Sequence, residues 1–188
     1  KQKRVSSPTL FVLQVNTVSY GVESIHPLQM NHTVQPNPVS NIAALVDSTN
    51  VTLEFPRPEG RIEYYMVFWN AVTDVNEPVQ TKNITDTGRY DRNVRILVED
   101  LMPGIKYQFE IQTMSYELES DVTRLSARTM PLILSEVLVV NNQQSTDHVT
   151  LRYTPTPSAS SHFDRYKFQL SDPNVPVKYK LANDTDSK

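Results

Sequence analysis

A five-residue pattern that occurs twice, roughly 100 residues apart, constrains the fold of this chain more than any other feature of the sequence. Val51–Phe55 (VTLEF) alternates apolar and polar residues and runs into two prolines, and residues 149–153 (VTLRY) do the same. The apolar residues that follow the two patterns also share one spacing: they are Ile62, Tyr65, Val67 and Trp69 after the first, and Phe163, Tyr166, Phe168 and Leu170 after the second. The distance between the copies is the size of one β-sandwich domain, so we expect tandem copies of such a domain.

A second match gives the position of the copies along the chain. Gln14–Ser24 (QVNTVSYGVES) parallels Glu110–Ser120 (EIQTMSYELES), so the chain is expected to open inside one repeat. We predict that residues 1–37 are the last two strands of a first sandwich and residues 38–130 a complete second one. Residues 131–188 are then the first strands of a third.

Side-chain periodicity indicates an all-β protein. In the segment that begins at Tyr107, every second residue is apolar, which places Tyr107, Phe109 and Ile111 on one buried face of a strand. No comparable window shows the 3.6-residue apolar stripe of an amphipathic helix. Thirteen prolines against four glycines favour short strands between proline-containing loops.

Composition excludes several functions for this segment. The net charge of -3 provides no basic field for phosphates, so we expect no nucleic-acid partner. The absence of cysteine excludes thiolate zinc sites and cysteine nucleophiles. No apolar run reaches the roughly 20 residues of a membrane helix, and no phosphate-binding loop, HExxH helix or Gly-x-Ser-x-Gly turn is present. We therefore predict no catalytic site, no cofactor and no small-molecule substrate.

Metal binding is not expected either. The four histidines are isolated from one another in the sequence and are predicted to be exposed; they are His26, His32, His148 and His162. A metal site requires several converging ligands. The acidic residues near Asn50 and Asp184 lack the glycine-punctuated spacing of a calcium loop.

One turn motif connects the periodicity to a known family. Leu101–Tyr107 (LMPGIKY) resembles the fibronectin type III signature, in which a leucine and a Pro-Gly turn precede the tyrosine that opens a strand. In that arrangement, the tyrosine corner, the hydroxyl bonds to upstream backbone while the ring fills the edge of the sandwich. Leu101 and Tyr107 are therefore assigned structural roles. The fold class is predicted to be all-β, with tandem fibronectin type III (immunoglobulin-like) sandwiches.

A narrower resemblance extends over most of the chain. Residues 34–42 (VQPNPVSNI), 56–61 (PRPEGR) and 128–133 (RTMPLI) resemble the ectodomains of insect receptor-type tyrosine-protein phosphatases of the 10D and 4E type. The resemblance implies a single-pass receptor with its repeats on the extracellular side of the plasma membrane, bound by a cell-surface or extracellular protein ligand in cell-contact signalling. Such phosphatases use a cysteine nucleophile. This chain has none, so the resemblance places that activity in a separate intracellular domain.

Four Asn-x-Thr triplets are candidate N-glycosylation sites, at Asn31, Asn50, Asn83 and Asn183. Asn83 and Asn183 lie at nearly equivalent points of two repeats, and both are predicted to lie in a loop where a glycan would project into water.

Two other functions remain open from the sequence. The chain could be a repeat segment of an adhesion or matrix protein without phosphatase activity. It could also be an accessory sandwich of a carbohydrate-active protein, in which case Tyr64, Phe68 and Tyr90 would form a row of aromatic rings for stacking on sugars. The oligomeric state and the identity of the ligand are left open.

Overall fold

Alternating apolar residues form extended strands throughout the structure, a computed structural model that describes residues 10–72, 78–88, 92–134, 136–140, 150–157 and 159–182. The described residues contain strands, turns and loops and no helix, which confirms the all-β prediction. Two compact units are present. The first comprises Lys1–Leu45, Val51–Val98 and Lys106–Ala127, and the second comprises Val46–Asn50, Glu99–Ile105 and Arg128–Lys188.

The strands in chain order are β1 Leu10–Val15, β2 Val18–Ser19, β3 Val22–Glu23, β4 Leu28–Thr33, β5 Ala43–Val46, β6 Val51–Pro56, β7 Tyr64–Ala71, β8 Gln80–Thr85, β9 Asn93–Val98, β10 Lys106–Ser115, β11 Leu118–Glu119, β12 Thr123–Arg128, β13 Val137–Val140, β14 Thr150–Tyr153, β15 Arg165–Phe168 and β16 Lys178–Leu181.

Two antiparallel sheets form the sandwich of the first unit. One has the strand order β5-β6-β9, and the other has the order β11-β10-β7-β8, with β12 also paired to β10. Strands β8 and β9 therefore lie at sheet edges. The arrangement of three strands in one sheet and β7, β8 and β10 in the other is that of an immunoglobulin-like sandwich.

The core of this sandwich is built from the inward residues of both sheets. Phe109 and Ile111 are fully buried and Tyr107 is 5% exposed, as the alternation in β10 predicts. Phe55 of β6 meets Tyr65 of β7 with ring centroids 5.4 Å apart in an edge-to-face arrangement. Each buried side chain of this size contributes about 1.5–3 kcal/mol of transfer free energy, so this central layer is the main source of stability.

The first repeat segment has the same local structure as the end of the complete sandwich. Its β1 and β4 pair antiparallel, and its β2-β3 hairpin turns at Tyr20 and Gly21, both with positive φ. The turn between β10 and β11 also has two positive-φ residues, Tyr116 and Glu117. The likeness between Gln14–Ser24 and Glu110–Ser120 is therefore structural as well as sequential.

Matching hydrogen bonds stabilise these two hairpins. The Ser24 amide donates to the Thr17 carbonyl at 2.8 Å, and the Ser120 amide donates to the Thr113 carbonyl at 3.0 Å. In each hairpin the serine hydroxyl also accepts from the threonine amide, at 3.2 and 2.9 Å respectively. Equivalent residues therefore make equivalent contacts in the two repeats.

The second unit contains two further strand pairs, β13 with β14 and β15 with β16. Tyr153 at the end of β14 packs between two rings of β15, with centroids 5.0 Å from Tyr166 and 5.8 Å from Phe168. The Tyr153–Tyr166 pair is the counterpart of Phe55–Tyr65, which agrees with the repeat spacing. Val149, the first residue of the second sequence pattern, lies outside the described residues.

Loops of the second unit are held by hydrogen bonds between the Thr129 side chain and backbone groups. Its hydroxyl donates to the Met102 carbonyl at 2.7 Å and accepts from the Ile105 amide at 3.0 Å. The turn enclosed by these bonds contains Gly104, whose φ is +76°. A Cβ at this glycine would overlap the carbonyl oxygen of His162 and lie 2.7 Å from its carbonyl carbon. The turn therefore requires glycine both for its backbone angle and for space.

Candidate functional site

A cleft of about 750 Å³ with a mixed polar and apolar lining lies in the first unit between the edge strands of the two sheets, β8 and β9. Its charged and phenolic lining consists of Glu54, Arg57, Tyr65, Asp86, Arg92 and Arg95. The cleft exists because the two sheets are not joined by a strand at this edge. Charged residues that directly follow β6 and β8 can therefore meet across the gap.

An ion pair between Arg57 and Asp86 closes the inner end of the cleft. The Nη2 atom of Arg57 lies 2.6 Å from Oδ2 of Asp86, and Nε lies 3.1 Å from the same oxygen. The side chain of Asp86 is 6% exposed and that of Arg57 is 26% exposed. The hydrogen bond to Asp86 raises the pKa of Arg57, so this guanidinium stays charged.

Tyr65 completes this inner cluster from β7. Its hydroxyl donates to Oδ1 of Asp86 at 3.4 Å. Burial, followed by the negative charge of Asp86, raises the pKa of Tyr65 well above its usual value. The phenol is therefore protonated at neutral pH and serves as a hydrogen-bond donor.

The outer rim of the cleft is more exposed. Glu54 accepts from Nδ2 of Asn93 at 3.1 Å and from Arg95 at 3.4 Å, and these two hydrogen bonds lower the pKa of Glu54. Arg95 is 70% exposed and Arg92 is also exposed. With three guanidinium groups and two carboxylates, the cleft has a small excess of positive charge and can accept an anionic side chain at Arg92 and Arg95.

The sequence analysis did not identify this cleft. Arg57 and Asp86 are 29 residues apart, and each looks like an ordinary charged residue at the end of a strand. The one signal in the sequence that could have pointed to the cleft is that Arg57 and Asp86 each directly follow a strand. Which two loops meet depends on how the sheets stack, which a strand pattern does not specify.

The predicted glycosylation sites lie far apart in the chain and in different environments. Asn31 is exposed within β4, and Asn50 is half-buried directly before β6. Asn83 is exposed, but it lies in β8, so the prediction of a loop at this position was wrong. The alternation of β8 was hard to recognise, because most of its residues are polar and exposed. Asn183 lies outside the described residues, and glycosylation at all four sites stays a prediction.

The predicted tyrosine-corner residues are both buried. Leu101 is 4% exposed, and Tyr107 is 5% exposed with its ring 6.3 Å from that of Phe109. The Pro103–Gly104 turn lies between them in the chain. The hydrogen bond from the Tyr107 hydroxyl to upstream backbone stays a prediction.

No metal-binding cluster is formed by the residues that the structure describes. His26, His32 and His162 are exposed, and His148 lies outside the described part of the chain. Of the sugar-stacking row considered above, Tyr64 and Phe68 are half-buried in β7, and Tyr90 is outside the described residues. No helix long and apolar enough to cross a bilayer occurs in the described ranges.

Comparison with known proteins agrees with this architecture. The family model for the fibronectin type III domain matches residues 37–125. A two-domain fibronectin type III segment of chicken tenascin is similar in structure, with a TM-score of 0.55 and 15% sequence identity over 65% of this chain and 66% of that one. Identity at this level shows a shared fold and nothing further.

Two single domains are also similar to part of the chain. The fibronectin type III domain of the human collagen α-1(XX) chain has 15% identity over 51% of this chain and 87% of that one, with a TM-score of 0.45. The FN5 domain of Drosophila Lar has 17% identity over 52% of this chain and 98% of that one, with a TM-score of 0.41. With the two stacked sheets and the family match, residues 37–125 are a fibronectin type III domain, a non-catalytic module common in extracellular proteins.

Proposed function

We propose that this chain is an extracellular segment of a cell-surface receptor tyrosine phosphatase, in which tandem fibronectin type III repeats act as spacer and protein-binding module in cell-contact signalling. The observation that carries the proposal is the repetition of one hairpin, with two positive-φ turn residues and matching hydrogen bonds, in successive segments of the chain. The receptor class is inferred from the resemblance of residues 34–42, 56–61 and 128–133.

A spacer needs a defined connection between its modules, and the segment that leads into the sandwich of β5–β12 makes contacts that support this role. Thr113 donates from its hydroxyl to the Asn37 carbonyl at 2.7 Å, and Thr123 donates to the Val39 carbonyl at 2.6 Å. Pro36 and Val39 are buried. These contacts fix the segment to the sandwich that it enters, which supports the proposal of a stiff rather than a flexible connection.

The cleft is the proposed protein-binding surface of this module. Arg92 and Arg95 are exposed at its rim; Arg95 shares its charge with Glu54, and Arg57 is neutralised by Asp86, so the excess positive charge lies at this rim. Guanidinium groups bind carboxylates with two parallel hydrogen bonds, so an acidic segment of a protein ligand fits this rim. Phosphatase activity would belong to a separate domain, because this chain contains no cysteine nucleophile.

The receptor class can be tested on the native protein. Antibodies raised against this chain would be used to label intact cells and to precipitate the full-length protein from a detergent extract. We expect surface labelling and hydrolysis of a phosphotyrosine peptide by the precipitate, inhibited by vanadate. Labelling of the matrix, or a precipitate without phosphatase activity, would instead support the adhesion or matrix protein.

The binding surface is tested separately with the chain itself. Fluorescent tetramers of the chain would be applied to live cells, and binding would be compared with that of the double variant Arg92→Glu, Arg95→Glu. Charge reversal at the rim should reduce binding at least about tenfold, since unlike-charge contacts become like-charge ones. Arg124→Glu is a matched control, because Arg124 pairs with Glu110 on a different face. Equal loss in both variants would argue against the cleft.

A further inference from the structure

An apolar strip runs along the outward face of β7. It consists of Tyr64, Met66 and Phe68, which are half-buried, whereas Tyr65 and Val67 between them are 1% and 0% exposed and point into the core. Outward faces of sheets in soluble proteins are usually polar, and β10 beside the strip follows that rule with Glu110 opposite Phe68 and Gln112 opposite Met66.

The candidate glycosylation site Asn83 lies directly beside this strip. In the antiparallel pairing of β7 with β8, Asn83 is opposite Met66, while Thr81 is opposite Phe68 and Thr85 is opposite Tyr64. Directly opposed residues share one face of the sheet, with Cβ atoms about 5 Å apart. The Asn-x-Thr acceptor and the apolar strip are therefore on the same surface.

The alternate residues of β8 face the other way. Lys82 donates from Nζ to the Leu97 carbonyl of β9 at 3.1 Å, and Ile84 lines the cleft. Asn83 is exposed, and β8 is the edge of its sheet, so the acceptor amide is open to solvent. A glycan at this position has the unpaired edge on one side and the strip of β7 on the other.

We propose that Asn83 carries an N-linked glycan whose first N-acetylglucosamine lies over Met66 and against the rings of Tyr64 and Phe68. In the modification, the amide nitrogen of Asn83 bonds to C1 of the first sugar and loses a proton, and the lipid pyrophosphate of the oligosaccharide donor leaves. The C–H face of a pyranose ring and its acetyl methyl group are apolar, so they can cover the strip while the hydroxyl groups remain in water.

This arrangement gives the glycan two physical effects. It removes the apolar strip from water, which stabilises the folded domain. It also places a bulky hydrated group at β8, whose outer backbone has no strand partner among the described residues and would otherwise offer an edge for strand addition.

The test uses the whole chain secreted from a eukaryotic cell line, with site occupancy measured by peptide mass spectrometry. Thermal unfolding of the glycosylated chain would be compared with that of the same sequence made without glycosylation. We expect Asn83 to be occupied and the glycosylated chain to unfold about 4 °C higher. Trimming with endoglycosidase H to a single N-acetylglucosamine should leave this increment in place, because the first sugar makes the contact.

Variants separate the contact from the mere presence of sugar. Thr85→Ala destroys the Asn-x-Thr acceptor and should abolish the rise in unfolding temperature, whereas Thr85→Ser keeps the acceptor and should keep the rise. The double variant Met66→Thr, Phe68→Thr removes the apolar strip; it should leave Asn83 glycosylated but abolish the rise in unfolding temperature. Two controls should retain the rise: Gln108→Thr on β10 and Asn50→Gln. An unoccupied Asn83, an increment lost on trimming, or an increment that survives removal of the strip would each overturn the proposal.

Discussion

The Arg57, Asp86 and Tyr65 side chains form the most demanding polar arrangement of the first unit. Two of the three are nearly inaccessible to water, since Asp86 is 6% exposed in its side chain and Tyr65 is 1% exposed. A buried carboxylate is tolerated only when it is paired and hydrogen-bonded, and here it receives bonds from a guanidinium and a phenol. The cluster therefore holds the ends of β6 and β8 together.

Asp86→Asn should destabilise the domain because it leaves the partly buried guanidinium of Arg57 without a counter-charge. We expect the free energy of unfolding to fall by about 2 kcal/mol, less than for a fully buried pair because Arg57 retains some contact with water. Urea denaturation at pH 7 measures the change. Glu54→Gln at the exposed rim is the control and should have a much smaller effect. Similar losses in the two variants would contradict a structural role for the inner pair.

The raised pKa of Tyr65 predicts a specific loss of stability in alkali. In the unfolded chain a tyrosine phenol loses its proton at about pH 10, whereas in the folded protein the Tyr65 phenol keeps its proton to higher pH. Above about pH 10 the folded state therefore binds more protons than the unfolded state. The contribution of Tyr65 to the free energy of unfolding is fully present below this pH and is lost as the pH rises above it, at up to about 1.4 kcal/mol per pH unit.

Tyr65→Phe cannot titrate and should lose less stability than the wild-type chain between about pH 9 and pH 11. Urea midpoints measured across this range give the comparison. Tyr20→Phe is the control, because Tyr20 is fully exposed to solvent. A Tyr65→Phe variant that declines in parallel with the wild-type chain would show that this phenol makes no contribution.

Strand β10, which has one buried face, was predictable from the sequence, whereas the edge strand β8 was not. β10 alternates polar and apolar residues from Lys106 to Gln112 because one face lies in the core, so its buried residues could be assigned from sequence. β8 has Ile84 as its single apolar residue, because an edge strand contributes little to the core. Asn83 was therefore placed in a loop, and the neighbouring strip on β7 was not connected to it.

The two related hairpins differ at one turn residue, and that difference predicts a stabilising substitution. Gly21 occupies the second turn position in the first segment with φ of 83°, whereas Glu117 occupies the corresponding position in the complete sandwich with φ of 61°. A left-handed conformation is strained for a residue with a Cβ and free for glycine.

Glu117→Gly should therefore raise the free energy of unfolding by about 0.5–1 kcal/mol. This value is the backbone strain that glycine relieves minus the conformational entropy that glycine loses on folding. Thermal unfolding measures the effect. Glu119→Gly in β11 is the matched control and should destabilise, because glycine in a paired strand loses entropy without relieving strain. A destabilised Glu117→Gly variant would mean that the glutamate side chain contributes more than its backbone strain costs.

Repetition was predictable for the molecule as a whole, because equivalent strands carry equivalent alternation. The stacking of Tyr153 on Tyr166 reproduces the packing of Phe55 on Tyr65, as their matched positions in the repeat imply. Contacts between loops were not predictable in the same way. Gly104 was assigned to the turn of the tyrosine-corner motif, but its proximity to His162, far along the chain, follows from the three-dimensional arrangement of the second unit.

Gly104→Ala tests whether this glycine joins distant parts of the second unit. The His162 amide donates to the Pro103 carbonyl at 3.0 Å, and the added methyl would occupy the space of the His162 carbonyl oxygen. The backbone of one of the two loops must then move, and that hydrogen bond is expected to break. Amide exchange at His162 should accelerate at least about tenfold, which corresponds to the loss of about 1.4 kcal/mol of local stability.

Gly21→Ala is the control for backbone strain alone, because Gly21 has φ of +83° and no atom lies within 4 Å of the place that an added methyl group would take. It should lower the free energy of unfolding by about 1 kcal/mol without affecting exchange at His162. If Gly104→Ala likewise leaves exchange at His162 unchanged, the two loops do not depend on each other and the glycine serves only its own turn. If exchange accelerates, the Pro-Gly turn stabilises the loop that contains His162 within the same compact unit.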